Sequence, residues 1–420
     1  MFLQQEHRFS FGGVSTTEYR VNLTSDHPYW FMKSGLLNTY PFLDHDVVCD
    51  VAVVGAGITG AMVAHRLSSD GHSVIVIDGR DVCRGSTSAS TALLQYEIDV
   101  SLTDLRKLIG EQNAVKAYRL SHQAIDDLEQ LIHRTEAECG FQRKKSLQIA
   151  YTRKAAKALA DEHRARRSIG LDCNYHDSGD LLSLYGLTGV AALSNNQSAS
   201  CDGYRLAHDL LSAAVRNGAE IFDRTQVMDF DCSGNGVILT TSRDVKVVAK
   251  HVVLATGYEA HSMLKERVVE LHNTYAVVSQ PMKSVSPWDP SWMLWELETP
   301  YLYLRCTEDN RILVGGEDDR FHNPDRRDRS ILEKAQVIHA KTRKLIPDLE
   351  WEIEFAWGGT FGSTKDGLAY IGKSPEYPGC YFTLGFGGNG ITFSVIASNL
   401  ISEMVQSRQP DDAHLFRFGR

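Results

Sequence analysis

What this 420-residue chain lacks narrows its class before any motif is read. It has no basic block: 44 Lys and Arg stand against 53 Asp and Glu, a formal net charge of −9. The densest basic stretch, Arg164, Arg166 and Arg167, sits on a polar helical segment and reads as a solvated face. Nucleic-acid binding needs a Lys/Arg-rich face to displace counterions, so that class is disfavoured. The eight cysteines (49, 83, 139, 173, 201, 232, 306 and 380) contain no C-x-x-C and no His/Cys ligand spacing. Scattered thiols in a chain this long indicate reduced cysteines in a cytoplasmic protein, and no metal site is expected. Met1 to Arg20 holds no run of seven apolar residues, so no secretory signal is read there. Tyr377 to Ser402 carries no charged residue, but Gly385, Gly387, Gly388, Asn389 and Gly390 interrupt it. A buried strand, turn and helix accounts for it better than a membrane span.

What is present is a 43% apolar composition, ample for the cores of two or three domains. Residues 1–46 are irregular, with Phe9, Phe11, Tyr29, Trp30, Phe31 and Tyr40, and are expected to pack over the outside of the fold. Val51-Ala52-Val53-Val54 is a continuous apolar strand of the kind buried on both faces, Ile58 to Ser69 has helical spacing, and Val74-Ile75-Val76-Ile77 is a second buried strand. Together they make a βαβ unit. Leu102 to Glu138 reads as one long helix, Leu206 to Asn217 as another, and His251 to Ala255 as a further buried strand; strands predominate from Thr274 to Gly315. The expected fold is α/β: a discontinuous Rossmann-type domain with an inserted, mostly antiparallel second domain. Its pieces are an extension over 1–46, nucleotide-binding segments 47–138, 201–262 and 357–420, and substrate-domain segments 139–200 and 263–356.

Gly55-Ala56-Gly57-Ile58-Thr59-Gly60 is G-x-G-x-x-G directly after a buried strand and at the mouth of a helix. Gly55 permits the tight turn, Gly57 lets backbone approach a pyrophosphate, Gly60 lets the helix lie close to the sheet, and the helix N-terminus offers free N–H groups to the anion. Asp78, ending the second strand, is placed to accept from both ribose hydroxyls. An acid there disfavours NADP, while the glycines leave NAD and FAD open.

The segment after Asp78, Arg84-Gly85-Ser86-Thr87-Ser88-Ala89-Ser90-Thr91-Ala92-Leu93-Leu94, is small and hydroxyl-rich. It resembles the corresponding segment of the D-amino-acid oxidase-like superfamily of FAD enzymes, which includes glycine oxidase, sarcosine oxidase and γ-glutamylputrescine oxidase. Three further motifs match in order: Ala255-Thr256-Gly257; Trp357 with Thr364-Lys365-Asp366-Gly367 and Ile371-Gly372; and Gly385-Phe386-Gly387-Gly388-Asn389-Gly390-Ile391, which opens the last helix. The resemblance spans about residues 45–410. It implies FAD held non-covalently by Gly55 to Gly60, by Asp78, Gly79, Arg80, Arg84, Ser86, Thr87, Ser88, Thr91, Ala92, Leu93 and Leu94, by Val227, Thr256 and Gly257, and by Gly387 to Ile391. Sarcosine oxidase attaches its flavin to a Cys, and the matching position is Gly359; the lysine thought to promote its reaction with oxygen matches Leu313.

On the substrate side, the alternation of Tyr301, Tyr303 and Arg305 places all three on one strand face, and the resemblance points Tyr301 at the substrate. Relatives that bind α-amino acids carry an Arg at the position of Phe361, and glycine oxidase carries another at the position of Gly388. Without those two guanidiniums an α-carboxylate loses its bidentate hold. Gln95, Tyr96 and Glu97 are candidates for the flavin wall, with Glu97 read either as a surface acid or as a partner for a substrate ammonium. The resulting expectation is an FAD-dependent amine oxidoreductase, with a small-molecule amine as substrate and O2 or another acceptor. A 2-hydroxy-acid dehydrogenase anchored by Arg305, or a flavoprotein subunit with structural FAD, are the alternatives.

Overall fold

A computed structural model of the chain describes residues 8–10, 23–25, 27–232 and 236–420. Part of the expected N-terminal extension, including Phe11, lies outside the described residues. The architecture is mixed α/β, built on two nine-stranded sheets. In the first, Glu220–Phe222, Val74–Ile77, Val47–Val54, Lys246–Leu254 and Cys380–Leu384 lie side by side and all parallel. An antiparallel meander, Val227–Asp231 and Val237–Thr241, attaches to the early half of Lys246–Leu254. Continuous apolar strands follow from burial on both faces: Val51, Val53, Val74 and Val76 pack toward the helices, while Ala52, Val54, Ile75 and Ile77 pack with Phe230 and Leu239. The helix Ile58–Ser69 is flanked by the helices Gly203–Arg216 and Gly390–Val405.

In the second sheet the order runs from Ile353–Ser363 through Glu270–Ser279, Ile312–Asp319, Leu302–Cys306, Trp292–Glu296, Gln142–Ala150 and Ala191–Ser200 to Leu93–Gln95. Only the pair Trp292–Glu296 and Gln142–Ala150 is parallel along that path. One face packs Tyr275, Val277, Leu304 and Val314 against Ala335 and Ile338 of the helix Pro324–Leu345. Two of its strands depart from the expected division: Leu93–Gln95 lies within the expected nucleotide segment 47–138, and Ile353–Ser363 straddles the expected boundary at 356/357.

Three local expectations need correction. The long helix is two, Leu102–Ile109 and Glu111–Thr135, because Gly110 between them takes φ +83°. Tyr29 and Trp30 are not packed over the outside: both are buried in the short helix Tyr29–Ser34. Arg166 does not belong to a solvated face. It is 2% exposed, and its Nε donates to Glu162 at 2.8 Å while the guanidinium lies over the rings of Tyr96 and Tyr118.

Candidate active site

A cavity of about 950 Å³ is walled by residues of both sheets. Its nucleotide end is made of backbone. Gly55 takes φ +105°, and a Cβ there would stand 2.4 Å from the Ala255 carbonyl oxygen; a Cβ on Gly60 would come within 1.8 Å of the Gly55 oxygen. Both positions are therefore closed to any side chain. Gly57 caps the helix Ile58–Ser69 without a side-chain cap, and a Cβ on it would meet only the Thr87 hydroxyl. The helix N-terminus thus opens on the cavity with amides to offer an anion. Asp78 accepts from Ala56 N at 2.8 Å through Oδ2 and from Arg80 N at 2.9 Å through Oδ1. It locks the glycine turn and keeps further lone pairs on the cavity side. Burial pushes its carboxyl above the usual range. Arg80 is in the wall too, with its guanidinium held by both oxygens of Glu259 at 2.8 and 3.1 Å.

The small hydroxyl loop is fixed from behind. Trp357 Nε1 donates to the Ala89 carbonyl at 2.9 Å, Trp30 Nε1 to Ser90 at 2.7 Å, and Arg305 Nε to Thr91 at 2.6 Å. Three consecutive carbonyls are thereby turned outward and satisfied, which presents the opposite edge of the loop to the cavity. Thr87 Oγ1 accepts from Ile58 N at 3.0 Å, tying the loop to the helix start. The last helix, Gly390–Val405, starts at Asn389, whose Nδ2 donates to the Glu97 carbonyl at 2.8 Å. Thr59 and Ser394 join the two helix starts through a 2.7 Å hydroxyl contact. Neither helix is capped by the side chain of its own N-cap residue, both N-termini face one cavity, and negative charge is favoured beside each.

At the other end, side chains dominate. Tyr301 and Tyr303 line the wall, and the Tyr301 hydroxyl donates to Asp318 Oδ2 at 2.5 Å. The Tyr303 ring lies flat over Gly315, where a Cβ would be 2.3 Å from it. Phe361 pairs across strands with His272, whose Nε2 contacts Ser363 Oγ at 2.8 Å. Asp99 accepts from Gly388 N at 2.9 Å. Asp99 is an exposed residue of the cavity wall; desolvation there raises its carboxyl, and the nearby charge of Asp318 raises it further. Burial raises Asp318 as well, while hydrogen bonding from Thr274 and Tyr301 opposes the shift.

Most residues singled out from sequence meet at this cavity. Gly55, Gly57, Ile58, Thr59, Asp78, Gly79, Arg80, Ser86, Thr87, Thr91, Ala92, Leu93, Leu94, Val227, Thr256, Gly257 and Gly387 to Ile391 are in its wall, as are Tyr301, Tyr303 and Phe361. Ala56, Gly60, Arg84, Ser88 and Arg305 are behind it. Arg84 stacks 3.5 Å from the Phe31 ring centroid. Arg305 shares the tyrosines' strand face, but the strand carries it past the cavity, where Nη2 also donates to the Cys201 carbonyl at 2.8 Å. It holds the loop and is no substrate anchor in this structure. Glu97 is buried rather than on the surface, with Oε1 accepting from Asn195 at 2.5 Å and lying 3.4 Å from Arg166. Sequence reasoning missed Asp99 and Asp318. Asp99 lies five residues beyond the small loop and was within reach of that motif. Asp318 depends on the register that sets Leu302 opposite Gly316.

These features fit FAD: a side-chain-free pyrophosphate approach at Gly57, an acid at Asp78, and a Thr256 hydroxyl that is buried with no partner. The sequence matches the family model described as DAO, FAD dependent oxidoreductase, over residues 50–404. It is 26% identical to a glycine oxidase of Geobacillus kaustophilus over 367 residues, 86% of this chain and 93% of that protein. It is 22% identical to the gamma-glutamylputrescine oxidoreductase of Escherichia coli, covering 90% and 88% of the two chains. The crystal structure of the Geobacillus glycine oxidase superposes with a TM-score of 0.75 at 24% identity, covering 89% of this chain and 99% of that one. With fold, nucleotide turn and cofactor loop in agreement, the chain belongs to the DAO family of FAD-dependent oxidoreductases.

Proposed function

We propose that this FAD-dependent oxidoreductase oxidises the C–N bond of an amine that carries no carboxylate on the reacting carbon. The observation behind this reading is the charge at the substrate end. Where amino-acid-binding relatives are expected to place guanidiniums, this chain has Phe361 and Gly388, and the space a side chain at Gly387 or Gly388 would take is filled by the Asp99 carboxylate, 2.1 and 3.0 Å from the respective Cβ positions. An α-carboxylate would meet an anion there instead of a bidentate partner.

When bound, FAD supplies the acceptor for a hydride leaving the carbon beside the nitrogen. The C–H bond breaks with its electron pair, the nitrogen lone pair forms the C=N bond, and water hydrolyses the released imine. The protein has no need of a strong base, since the lone pair drives the transfer. Phe361 and the Tyr301 and Tyr303 rings form the apolar walls that exclude water and orient the carbon chain. The loop fixed by Trp30, Trp357 and Arg305 keeps the cofactor's surroundings rigid. Two observations weigh against a hydroxy-acid substrate: Arg305 directs its donors at backbone carbonyls, and carboxylates outnumber guanidiniums in the wall.

The test is anaerobic bleaching of the flavin. Simple amines should reduce it, whereas glycine, D-alanine and 2-hydroxy acids should do so at least about 30-fold less efficiently, the loss expected from a missing buried guanidinium–carboxylate pair. Efficient reduction by glycine would refute the reading.

A further inference from the structure

The substrate end holds more negative charge than a single reacting amine can use. Besides Asp99 and Asp318, its wall includes Glu97, Glu270 and Glu296, with Arg320 as the accompanying guanidinium among the described residues. Some of these acids have protein partners: Glu296 Oε2 accepts from Leu302 N at 2.8 Å. Others have acceptor oxygens that the protein serves poorly. Asp318 Oδ1 has only the neighbouring Thr274 hydroxyl to draw on, a neutral donor that leaves the carboxylate's charge unbalanced. Glu97 is 4% exposed, and its Oε2 has no partner. A buried acceptor without a donor is costly, and two acids that disfavour each other's ionisation call for a cation. Tyr301 cannot supply it, because its hydroxyl is already on the other oxygen of Asp318.

The cation cannot be the reacting nitrogen. Carboxylates beside that atom would hold it protonated, and a protonated amine has no lone pair to expel hydride. Resting on the amine-oxidation reading above, we propose that Asp99 and Asp318 seat a second, non-reacting ammonium, making short diamines the preferred substrate class. A second cavity of about 730 Å³ adjoins the first. It shares Glu270, His272 and Arg320 with the main one and adds Lys265 and Arg267, so an ammonium on a chain long enough to reach it would meet cationic side chains, which favours short chains.

The experiment compares three four-carbon amines on the anaerobic holoenzyme: 1,4-diaminobutane, n-butylamine and 4-aminobutanoate, whose far ends are positive, neutral and negative. Charge-assisted hydrogen bonding to a carboxylate predicts that the diamine reduces the flavin with a kcat/KM about 10- to 100-fold above that of butylamine, with 4-aminobutanoate lowest. Asp99→Asn and Asp318→Asn should each bring the diamine-to-butylamine ratio toward one. Equal efficiencies for diamine and butylamine in the wild type, or an unchanged ratio in both variants, would overturn the proposal. A folding defect in the variants is bypassed by titrating wild-type flavin absorbance: tighter binding of the diamine that weakens as salt is raised supports the seat, and equal dissociation constants refute it. Failure of the underlying reading looks different, since none of the three amines would then bleach the flavin.

Discussion

At the nucleotide end of the cavity the groups that face inward are mostly backbone: the turn at Gly55 to Gly60 and the starts of the helices Ile58–Ser69 and Gly390–Val405. At the substrate end they are side chains of Tyr301, Tyr303, Phe361, Asp99 and Asp318, brought in by strands far apart in sequence and by the segment after the small loop. Backbone recognition tolerates no added atoms and reads a group common to many ligands. Side-chain recognition is cheap to alter and reads what differs between ligands. The DAO family match spans residues of both ends.

Four substitutions separate the two ends, and the largest effect belongs to the backbone. Gly60→Val must displace the Gly55 carbonyl, so the protein should lose its yellow colour on purification and fall by at least about 4 kcal/mol in stability; a variant that keeps stoichiometric FAD would show that the turn has slack. Arg305→Met removes donors from the Thr91 and Cys201 carbonyls and should cost about 2–4 kcal/mol of stability, read by chemical denaturation. If it instead raises KM with stability intact, Arg305 touches substrate after all. Asp78→Ala unties Ala56 N and Arg80 N, and FAD affinity should weaken by about 1–3 kcal/mol, measured by fluorescence titration of the apoprotein. The smallest change is Tyr301→Phe, which frees Asp318 of its donor while keeping the ring. The flavin spectrum should stay as it is, and kcat/KM should shift by about 10-fold or less; an unaltered kcat/KM would remove Tyr301 from the substrate site.

pH sharpens the same contrast. His208, on the helix Gly203–Arg216, is fully buried with neither ring nitrogen partnered, and burial holds it down to about 4. A base whose folded value is depressed protonates more readily in the unfolded chain. The stability it contributes is therefore present above about 6.5 and is lost as pH falls toward 4. His208→Phe should flatten that loss in thermal melts. At the substrate end the carboxyls are raised instead, so a cationic ligand should bind more tightly as pH climbs through the range where Asp99 and Asp318 ionise.

Local patterns were enough for the parallel sheet, because strands buried on both faces write continuous apolar runs and the glycine turn needs fixed residue types at fixed spacing. The helix Pro324–Leu345, which is not among the expected elements, also opens on local chemistry, with the Asn323 cap on Arg326 N and a proline in the first turn. Only the tertiary structure decided which side chains close the substrate end. The strand bearing Tyr301, Tyr303 and Arg305 alternates perfectly in sequence, yet two of the three reach the cavity and the third ends under the Thr91 loop, because the loop crosses the sheet at that point. Arg166 looked solvated for the same reason: its own helix is polar, and it is covered by Tyr96, Glu97 and Tyr118, which come from other parts of the chain. Motifs fixed by covalent spacing are written in the sequence, whereas the meeting of Asp99 with Gly388, or of Tyr301 with Asp318, depends on register and crossing of elements that no short stretch encodes.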